Sequence, residues 1–335
     1  MAEARTLKAL FTAGATALAL TMGAMAASAQ EATSPPKDFT TFVQELENDA
    51  VTRGIRAETA HAALDGVQHI GRIIELDRKQ PEFTFTLQEY LDRVVSPQKV
   101  EKGRRMMAEN KAVLEKIGKH YGVQPKYIVA LWGIETDYGR VTGGYSVVSA
   151  LATLAFDGRR SAYFRGELMD ALKILDEGHI KPESMSGSWA GAMGQCQFMP
   201  SSFLKFAEDW DGDGRRDIWT TRADVLASAA NYLSKTGWHD DQSWGRPVTL
   251  PANFSDRLIG LDQKRAVTEW GKLGVKAANG KPLPKSGVEG SIIRPDNGGG
   301  AAFLVYDNFR TIMKWNRSTS FALAAGHLAE RIGGK

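Results

Sequence analysis

One glutamate lies where the sequence pattern leaves little room for a charge. The segment "KYIVALWGIETDYG", residues 126–139, has the apolar periodicity of a buried helix, and Glu135 falls on the stripe of Ile128, Leu131 and Trp132. Burying an ionised carboxylate costs free energy, so such a residue is paired, protonated or used in chemistry. Because desolvation raises the pKa of a carboxyl group towards neutrality, Glu135 is a candidate general acid.

The neighbouring Asp137 is the obvious second member of a glycosidase pair. On a continuing helix, residues two apart point about 200° away from each other, so the two carboxylates cannot flank one bond. A structural role for Asp137 is therefore favoured. Glu135 has a structural alternative too, in which it turns outward and pairs with Arg140 or Arg159.

A second segment, "SGSWAGAMGQCQFMPSS" at residues 186–202, is rich in small residues. Small residues let a ligand or another part of the backbone approach closely. Gln195 and Gln197 offer the donors and acceptors that sugar hydroxyls and acetamides require, while Phe198 and Trp189 offer flat faces for stacking. The alternative is a tight structural turn before the next helix.

Cys196, inside that segment, is the only cysteine of the chain. No intramolecular disulfide and no cysteine-based metal site can therefore form. A nucleophilic cysteine needs a positioned base, usually histidine, and the six histidines stand in no recognisable triad motif. A small buried residue is the favoured interpretation.

The third segment, "DWDGDGRRDIWTTRAD" at residues 209–224, begins like a calcium-binding loop, with three alternating aspartates before Gly214. Loop position 12 is Thr220 instead of the glutamate of an EF-hand, so a later acidic residue must close the site. The alternative is a solvated acidic turn that pairs with the neighbouring arginines. The expected ligands are Asp209, Asp211, Asp213, Arg215 through its backbone carbonyl, and Asp224.

The elements around these motifs are mostly helical. Helical periodicity dominates from residue 96 to about 237 and returns in "NFRTIMKWN" and "SFALAAGHLAERI". Between them, "WGRPVTLPANF", "KPLPKSG" and "SIIRPDNGGGAAFLVY" are rich in Pro, Gly and β-branched residues. The sequence therefore predicts a mainly α fold with a small β-containing insertion.

The first thirty residues have the features of an export signal. Arg5 and Lys8 precede an apolar run that ends in small residues at Ala27 and Ala29, which predicts cleavage after Ala29 and a periplasmic location. A membrane anchor is the alternative. No cysteine lies near this junction for a lipid anchor. The charges of the whole chain, 42 basic against 39 acidic in 335 residues, are well mixed and argue against nucleic-acid binding.

Together, the motifs "WGIETDYG", "GAMGQCQFMPSS", "DGDG…DIW", "AANYLSKTGW" and "NFRTIMKWNRSTSFA" resemble the membrane-bound lytic murein transglycosylase B family. The resemblance implies a lysozyme-like core, cleavage of peptidoglycan strands, a structural Ca²⁺ and no catalytic cofactor. It also makes Glu135 the sole catalytic residue. The positions matched to Trp315 and Phe321 can be tyrosine in relatives. The implied substrate-binding residues are Tyr90, Ser188, Gln197, Phe198, Asn231, Tyr232, Trp315, Asn316 and Phe321.

The implied reaction needs no second carboxylate. Glu135 would protonate the oxygen that links N-acetylmuramic acid to N-acetylglucosamine, and then accept the proton of the muramic acid C6 hydroxyl as a 1,6-anhydro ring closes. Two rivals stay open: a hydrolytic muramidase, which normally uses a second carboxylate, and a non-catalytic, calcium-stabilised glycan-binding scaffold. A monomer that meets other cell-wall enzymes is the expected state.

The predicted organisation follows from the motifs and the resemblance together. The divisions are a signal peptide at 1–29, an N-terminal helical region at 30–95, a lysozyme-like catalytic core with the calcium loop at 96–240, a small β-containing insertion at 241–305 and a C-terminal helix returning to the core at 306–335.

Overall fold

The structure, a computed structural model, describes residues 38–79, 85–295 and 299–334. The expected signal peptide at 1–29 lies outside the described residues. Helices dominate the described part, and the predicted mainly α fold class is confirmed. The helices are α1 Phe39–Thr52, α2 Ala57–Leu64, α3 Gly71–Arg78, α4 Leu87–Val94, α5 Pro97–Glu109, α6 Lys111–Tyr121, α7 Pro125–Thr136, α8 Val147–Phe156, α9 Ser161–Asp176, α10 Pro200–Phe206, α11 Arg222–Lys235, α12 Val267–Lys272, α13 Asp307–Trp315 and α14 Thr319–Ile332.

Several helices begin at residues whose side chains satisfy the free backbone N–H groups of the first turn. Thr86 accepts from the Glu89 N–H and Glu89 accepts in return, a capping box that starts α4. Ser96 caps α5, where Pro97 fills the first position and needs no partner for a missing N–H. These local signals fix where α4 and α5 start beside the central helix.

Helix α7 lies at the centre of the fold. It packs against α5, α6, α11 and α14, and its residues from Tyr127 to Gly133 are all buried. A helix that is apolar on every side belongs in the interior. The buried surface of α7 is therefore wider than the single stripe predicted from the sequence, and Glu135 lies at the end of a helix that is buried in the core.

The small sheet lies in the predicted insertion. Its strands are all antiparallel, in the order β4-β6-β7-β3-β5, and cover a separate apolar cluster around Trp270, Ile292 and Leu304. A two-stranded ribbon, β1 with β2, lies in the helical part. The strands are β1 Tyr145–Ser146, β2 Ser186–Gly187, β3 Gly245–Thr249, β4 Lys264–Ala266, β5 Lys276–Ala277, β6 Glu289–Ile293 and β7 Ala302–Val305.

The N-terminal helices share the main apolar core. Phe42 and Leu46 of α1, Leu64 of α2 and Leu87 of α4 belong to the same cluster of buried side chains as α7. The packing between the regions predicted at residues 30–95 and 96–240 is continuous. The boundary between these two regions therefore stays a prediction. Within the described ranges, no helix is both long and apolar enough to cross a membrane.

The close contact between α14 and the start of the insertion gives a first prediction. A Cβ added at Gly326 would overlap the buried indole of Trp244. Overpacking of this kind costs about 1–3 kcal/mol, so Gly326→Ala is expected to lower the melting temperature in calorimetry.

Gly166 on the exposed face of α9 is the matched control, because a Cβ there meets no atom within 4 Å. Removing a helical glycine stabilises a helix by about 0.5–1 kcal/mol, so Gly166→Ala is expected to raise the melting temperature. Equal melting temperatures for the two variants would contradict the packing of α14 on Trp244.

Candidate active site

Glu135 occupies the last turn of α7. Its Oε1 accepts a hydrogen bond from the indole Nε1 of Trp315 at 2.7 Å. Burial raises the pKa of the Glu135 carboxyl to about 7, and two smaller effects oppose it: the Trp315 hydrogen bond and the positive charge of Lys99 both favour the carboxylate. The group can therefore hold a proton at neutral pH and release it in a reaction.

The two arginines considered as partners of this glutamate pair with other carboxylates. Arg140 bonds Asp137, with 2.5 Å between Nε and Oδ2, and Arg159 lies 3.4 Å from the buried carboxylate of Asp77. Asp137 ends α7 in the left-handed conformation, with φ of 50°, and also pairs with Lys102. The structure thus gives Asp137 the structural role expected of it, and among the residues that the structure describes Glu135 has no arginine partner.

Two lysines of α5, which the sequence reasoning missed, lie beneath the end of α7. Lys99 Nζ donates to the Gly133 carbonyl at 3.0 Å, and Lys102 Nζ donates to the Asp137 carbonyl at 2.8 Å. Cations favour the carbonyl end of a helix, where the backbone dipoles add up to negative charge. The sequence signal that could identify them is their spacing of three residues, which places both lysines on one face of a helix.

Gln195 fastens the glycine-rich segment to α7. Its Oε1 accepts from the Trp132 indole at 2.8 Å, its Nε2 donates to the Trp219 carbonyl at 2.8 Å, and its own carbonyl accepts from Thr136 Oγ1 at 3.0 Å. The side-chain groups of Gln195 are engaged within the protein. Its side chain therefore positions the segment, instead of binding sugar as its residue type suggests.

Gln197 stands at the tip of a tight turn in which the backbones of Met193 and Phe198 pair. Its φ of 52° lies in the left-handed region, and its Nε2 donates to the carbonyls of Thr142 and Gly194, at 3.1 and 2.9 Å. Both amide hydrogens are used internally. The side-chain oxygen of Gln197 is left to accept a hydrogen bond from a ligand. The sequence predicted that this side chain would both donate and accept.

Three aromatic rings form one wall beside Glu135. The ring of Trp315 lies 5.2 Å from that of Phe198 and 4.7 Å from that of Tyr232, which in turn lies 5.8 Å from Phe198. The Tyr232 hydroxyl donates to the Lys314 carbonyl at 2.7 Å, which holds the wall together. The structure thus brings Phe198, Tyr232 and Trp315 together at the acid, although they are far apart in the sequence.

Asn231 and Tyr90 are two further residues expected in the groove. Asn231 is buried and donates to the Phe206 carbonyl at 3.0 Å, while its Oδ1 has no hydrogen-bond partner among the described residues. Tyr90 is partly buried, and both its burial and the charge of Glu135 raise its pKa. Since that electrostatic effect acts only at short range, Tyr90 lies near the acid.

The other three expected groove residues make local contacts. Ser188 Oγ accepts from the Ala192 N–H at 3.1 Å, and Asn316 Oδ1 accepts from the Ser318 N–H at 3.0 Å. Phe321 is buried in the main core at the start of α14. These contacts place Ser188 and Asn316 in turns and Phe321 in the packing of α14.

Cys196 is buried, and its thiol donates to the Val225 carbonyl at 3.3 Å. Burial raises the pKa of this thiol, which disfavours the reactive thiolate. The structure gives it the role of a small buried residue, as expected. Trp189 is buried as well, so it does not offer the exposed flat face that the sequence suggested.

The acidic loop brings three carboxylates together. Ligand oxygens of Asp209, Asp211 and Asp213 lie within 4.8 Å of one another, and Gly214 has the positive φ, 91°, that the turn needs. Oxygen donors of this kind fit a hard cation such as Ca²⁺. Arg215 also bonds Asp213 through its guanidinium at 2.8 Å, the contact expected of the alternative, a solvated acidic turn.

Asp224 is not among the three carboxylates that lie within 4.8 Å of one another, and its place as the closing ligand stays a prediction. Its carboxylate is buried and accepts from the backbone N–H groups of Trp210, at 2.8 Å, and Asp217, at 2.9 Å. Asp224 therefore braces both ends of the loop. The physical reason is that buried backbone donors need an acceptor, and the first turn of α11 presents this one.

The comparisons with known proteins agree with this geometry. Residues 38–330 match the family model "Transglycosylase SLT domain". The membrane-bound lytic murein transglycosylase B of Escherichia coli K12 is 34% identical over 247 residues, which cover 72% of this chain and 66% of that protein. The chain therefore belongs to the SLT-domain transglycosylase family, and the predicted family and class of enzyme are confirmed.

Solved structures of relatives share the fold. SltB3 from Pseudomonas aeruginosa, in complex with NAG-anhNAM-pentapeptide, has a TM-score of 0.87 and 42% identity, over 89% of this chain and 80% of that one. The E. coli lytic transglycosylase Slt35, in complex with calcium, has a TM-score of 0.75 and 29% identity, over 87% of this chain and 92% of that one. The lysozyme-like helical core predicted from the sequence is thereby confirmed.

The cation beneath α7 gives the second prediction. Lys99→Met removes a positive charge that lowers the pKa of Glu135, so that pKa is expected to rise further above 7. The measurement is an NMR titration of the ¹³C-labelled glutamate side chains, with the Glu135 signal assigned by its loss in Glu135→Gln.

Lys111→Met, on the exposed surface of α6 and paired with Glu115, is the matched control and should leave the Glu135 titration unchanged. An identical midpoint in Lys99→Met and the parent would show that Lys99 has no electrostatic influence on the acid.

Proposed function

We propose that the protein cleaves the β-1,4 bond between N-acetylmuramic acid and N-acetylglucosamine in peptidoglycan, as a lytic transglycosylase with Glu135 as its one catalytic carboxyl group. The observation that carries the proposal is a carboxyl group with a pKa of about 7 beside an aromatic wall. The adjacent carboxylate of Asp137 is tied to Lys102 and Arg140 and is not available as a partner. A mechanism with one carboxylate suits this arrangement better than a mechanism that uses a pair of carboxylates.

The reaction proceeds in two proton transfers at Glu135. In the first, the O–H bond of the carboxyl group breaks as its proton moves to the glycosidic oxygen. The C1–O bond of the muramic acid then breaks, and its electron pair stays with the departing N-acetylglucosamine. In the second, the carboxylate takes the proton of the C6 hydroxyl, whose oxygen bonds to C1 and closes the 1,6-anhydro ring. Glu135 ends protonated as it began, and no water is consumed.

The remaining predicted groove residues bind the sugar in this proposal. Trp315, which is partly exposed, offers an apolar ring face to a pyranose, and the buried rings of Phe198 and Tyr232 pack against it. The free Oδ1 of Asn231 and the side-chain oxygen of Gln197 accept hydrogen bonds from hydroxyl or acetamide groups. Tyr90, Ser188, Asn316 and Phe321 shape the groove at its edges. The SltB3 complex with NAG-anhNAM-pentapeptide supports the same substrate class for this chain.

The acidic loop is proposed to hold a structural Ca²⁺. Asp209, Asp211 and Asp213 would supply carboxylate oxygens and Arg215 its backbone carbonyl, the donor set that calcium prefers. The ion would neutralise three clustered negative charges and rigidify the loop. The calcium complex of Slt35 supports the assignment.

The cellular setting completes the proposal. A substrate in the cell wall and the signal pattern at 1–29 favour a periplasmic enzyme. We retain the divisions at 30–95, 96–240, 241–305 and 306–335 as working boundaries. A monomer that meets other cell-wall enzymes is the proposed state.

The third prediction tests the reaction. Digestion of purified peptidoglycan should release products that end in 1,6-anhydro-muramic acid, lighter by one water than hydrolysed ends, as seen by mass spectrometry. Glu135→Gln cannot donate the proton and is expected to lose at least about 100-fold in rate. Asp137→Asn, which keeps the size of the side chain, is the control that should yield the same anhydro products.

The pH dependence has a definite sign. Glu135 must be protonated in the free enzyme, and its pKa is raised to about 7, so kcat/KM is expected to fall as the pH rises through 7. Reducing muramic acid ends would instead identify a hydrolase. Binding of peptidoglycan without any product from the parent protein would favour the non-catalytic scaffold.

The fourth prediction concerns the acidic loop. Calcium should raise the melting temperature of the protein, and a chelator should reverse the gain, because a ligand that binds only the folded state stabilises it. Asp211→Ala removes one exposed carboxylate from the group and is expected to abolish the response.

Asp262→Ala, an exposed aspartate before β4 in the insertion, is the control and should keep the full response to calcium. A melting temperature that is the same with calcium and with chelator would mean that the loop is a solvated acidic turn.

A further inference from the structure

Trp315 makes a contact that its expected role in sugar binding does not require. The residue ends α13, and its Nε1 donates to Glu135 Oε1 at 2.7 Å. Its ring is held between Phe198 and Tyr232, with centroids 5.2 and 4.7 Å away. Since the backbone just before it accepts the Tyr232 hydroxyl, the indole is fixed in place relative to the acid.

The chemistry of the indole limits what Glu135 can do. An indole N–H donates a hydrogen bond and has no lone pair to accept one. The Glu135 oxygen that faces it must therefore present a lone pair in both protonation states, and in a protonated carboxyl group the carbonyl oxygen accepts more strongly than the hydroxyl oxygen, which favours the proton on the other oxygen. Among the described residues, the second oxygen, Oε2, accepts no hydrogen bond, so it alone is left for the acid proton and for a substrate.

We propose, on the basis of the proposed function, that Trp315 is a positioning residue that confines the acid proton to Oε2 of Glu135. The bound carboxyl group is then always in the one arrangement that can donate to the glycosidic oxygen. A hydroxyl-bearing side chain at this position could donate or accept, and would also allow the proton on Oε1, where it cannot reach the substrate.

The same N–H acts in the second half of the reaction. A hydrogen bond to a charged carboxylate is stronger than one to a neutral carboxyl group. Trp315 therefore favours the carboxylate left after the first transfer and opposes the effect of burial on the pKa. One donor thus orients the acid and stabilises the base that follows.

The experiment replaces the N–H and keeps the ring. In the full-length protein, Trp315→Phe is compared with replacement of Trp315 by β-(3-benzothienyl)alanine, which keeps the bicyclic shape and has sulfur in place of N–H. Trp270→Phe is the matched control, because it removes a buried indole that donates to the Gly290 carbonyl at 2.9 Å in the insertion. Readouts are the Glu135 pKa by ¹³C NMR titration, kcat and KM over pH, and the melting temperature.

Both Trp315 replacements are expected to raise the Glu135 pKa by about one unit, the scale set by a hydrogen bond to a charged group. The pH at which kcat/KM falls should move upward with it, and kcat should drop about tenfold, a fraction of what general acid catalysis supplies, with KM little changed. Trp270→Phe should lower the melting temperature and leave the Glu135 pKa and the pH profile as in the parent.

The benzothienyl protein decides the outcome, since its packing matches the parent even if Trp315→Phe folds poorly. A Glu135 pKa and pH profile equal to those of the parent would overturn the positioning role and leave Trp315 a stacking residue. The two proposals fail separately. Absence of anhydro products from the parent would refute the proposed function, whereas the NMR titration still reports whether the N–H governs the acid.

Discussion

The structure depends on keeping one ionisable carboxyl group at the end of a buried central helix. Burial alone would hold Glu135 protonated and useless as a base, whereas full solvation would make it a weak acid catalyst at neutral pH. The protein balances the two with the Trp315 indole and the charge of Lys99, which both favour the carboxylate. At the end of α7, Asp137 turns away from Glu135, and its carboxylate pairs with Lys102 and Arg140.

The acidic loop is linked to this helix through the glycine-rich segment. Asp217 accepts from the N–H groups of Trp219 and Thr220, both at 2.9 Å, and the Trp219 carbonyl accepts from Gln195, whose Oε1 accepts from Trp132 of α7. Small residues make the packing possible, since a Cβ at Gly194 would lie 2.6 Å from the Ile218 carbonyl. A cation that rigidifies the loop would thus steady the segment beside Glu135, although it lies outside the catalytic chemistry.

Local patterns predicted the parts of the site that are local in the chain. The apolar helix with its one glutamate and the spacing of Asp209, Asp211 and Asp213 are each contained in a few residues, and periodicity or a turn rule suffices to find them. The parts that local patterns do not specify depend on the way the folded chain arranges its donors and acceptors. Asp224 is engaged by backbone donors of the loop, and Lys99 faces α7 because of how two helices pack. No turn rule or periodicity specifies which backbone donors a carboxylate takes or which helix a lysine faces.

The insertion also contributes to the site, by holding the helix that carries Trp315. At the first turn of α13, Asp307 pairs with Lys264 of β4 at 2.5 Å, and Arg310 bonds Ser291 Oγ of β6 at 2.7 Å. Helix α13 is nine residues long, about 14 Å at the usual rise, and ends at the indole that bonds Glu135. A sheet with its own apolar core therefore fixes the near end of a short rigid helix whose far end orients the acid. Because Trp315 ends α13, the contacts of Asp307 and Arg310 with the sheet anchor the helix whose last residue donates to Glu135, despite their separation in the sequence.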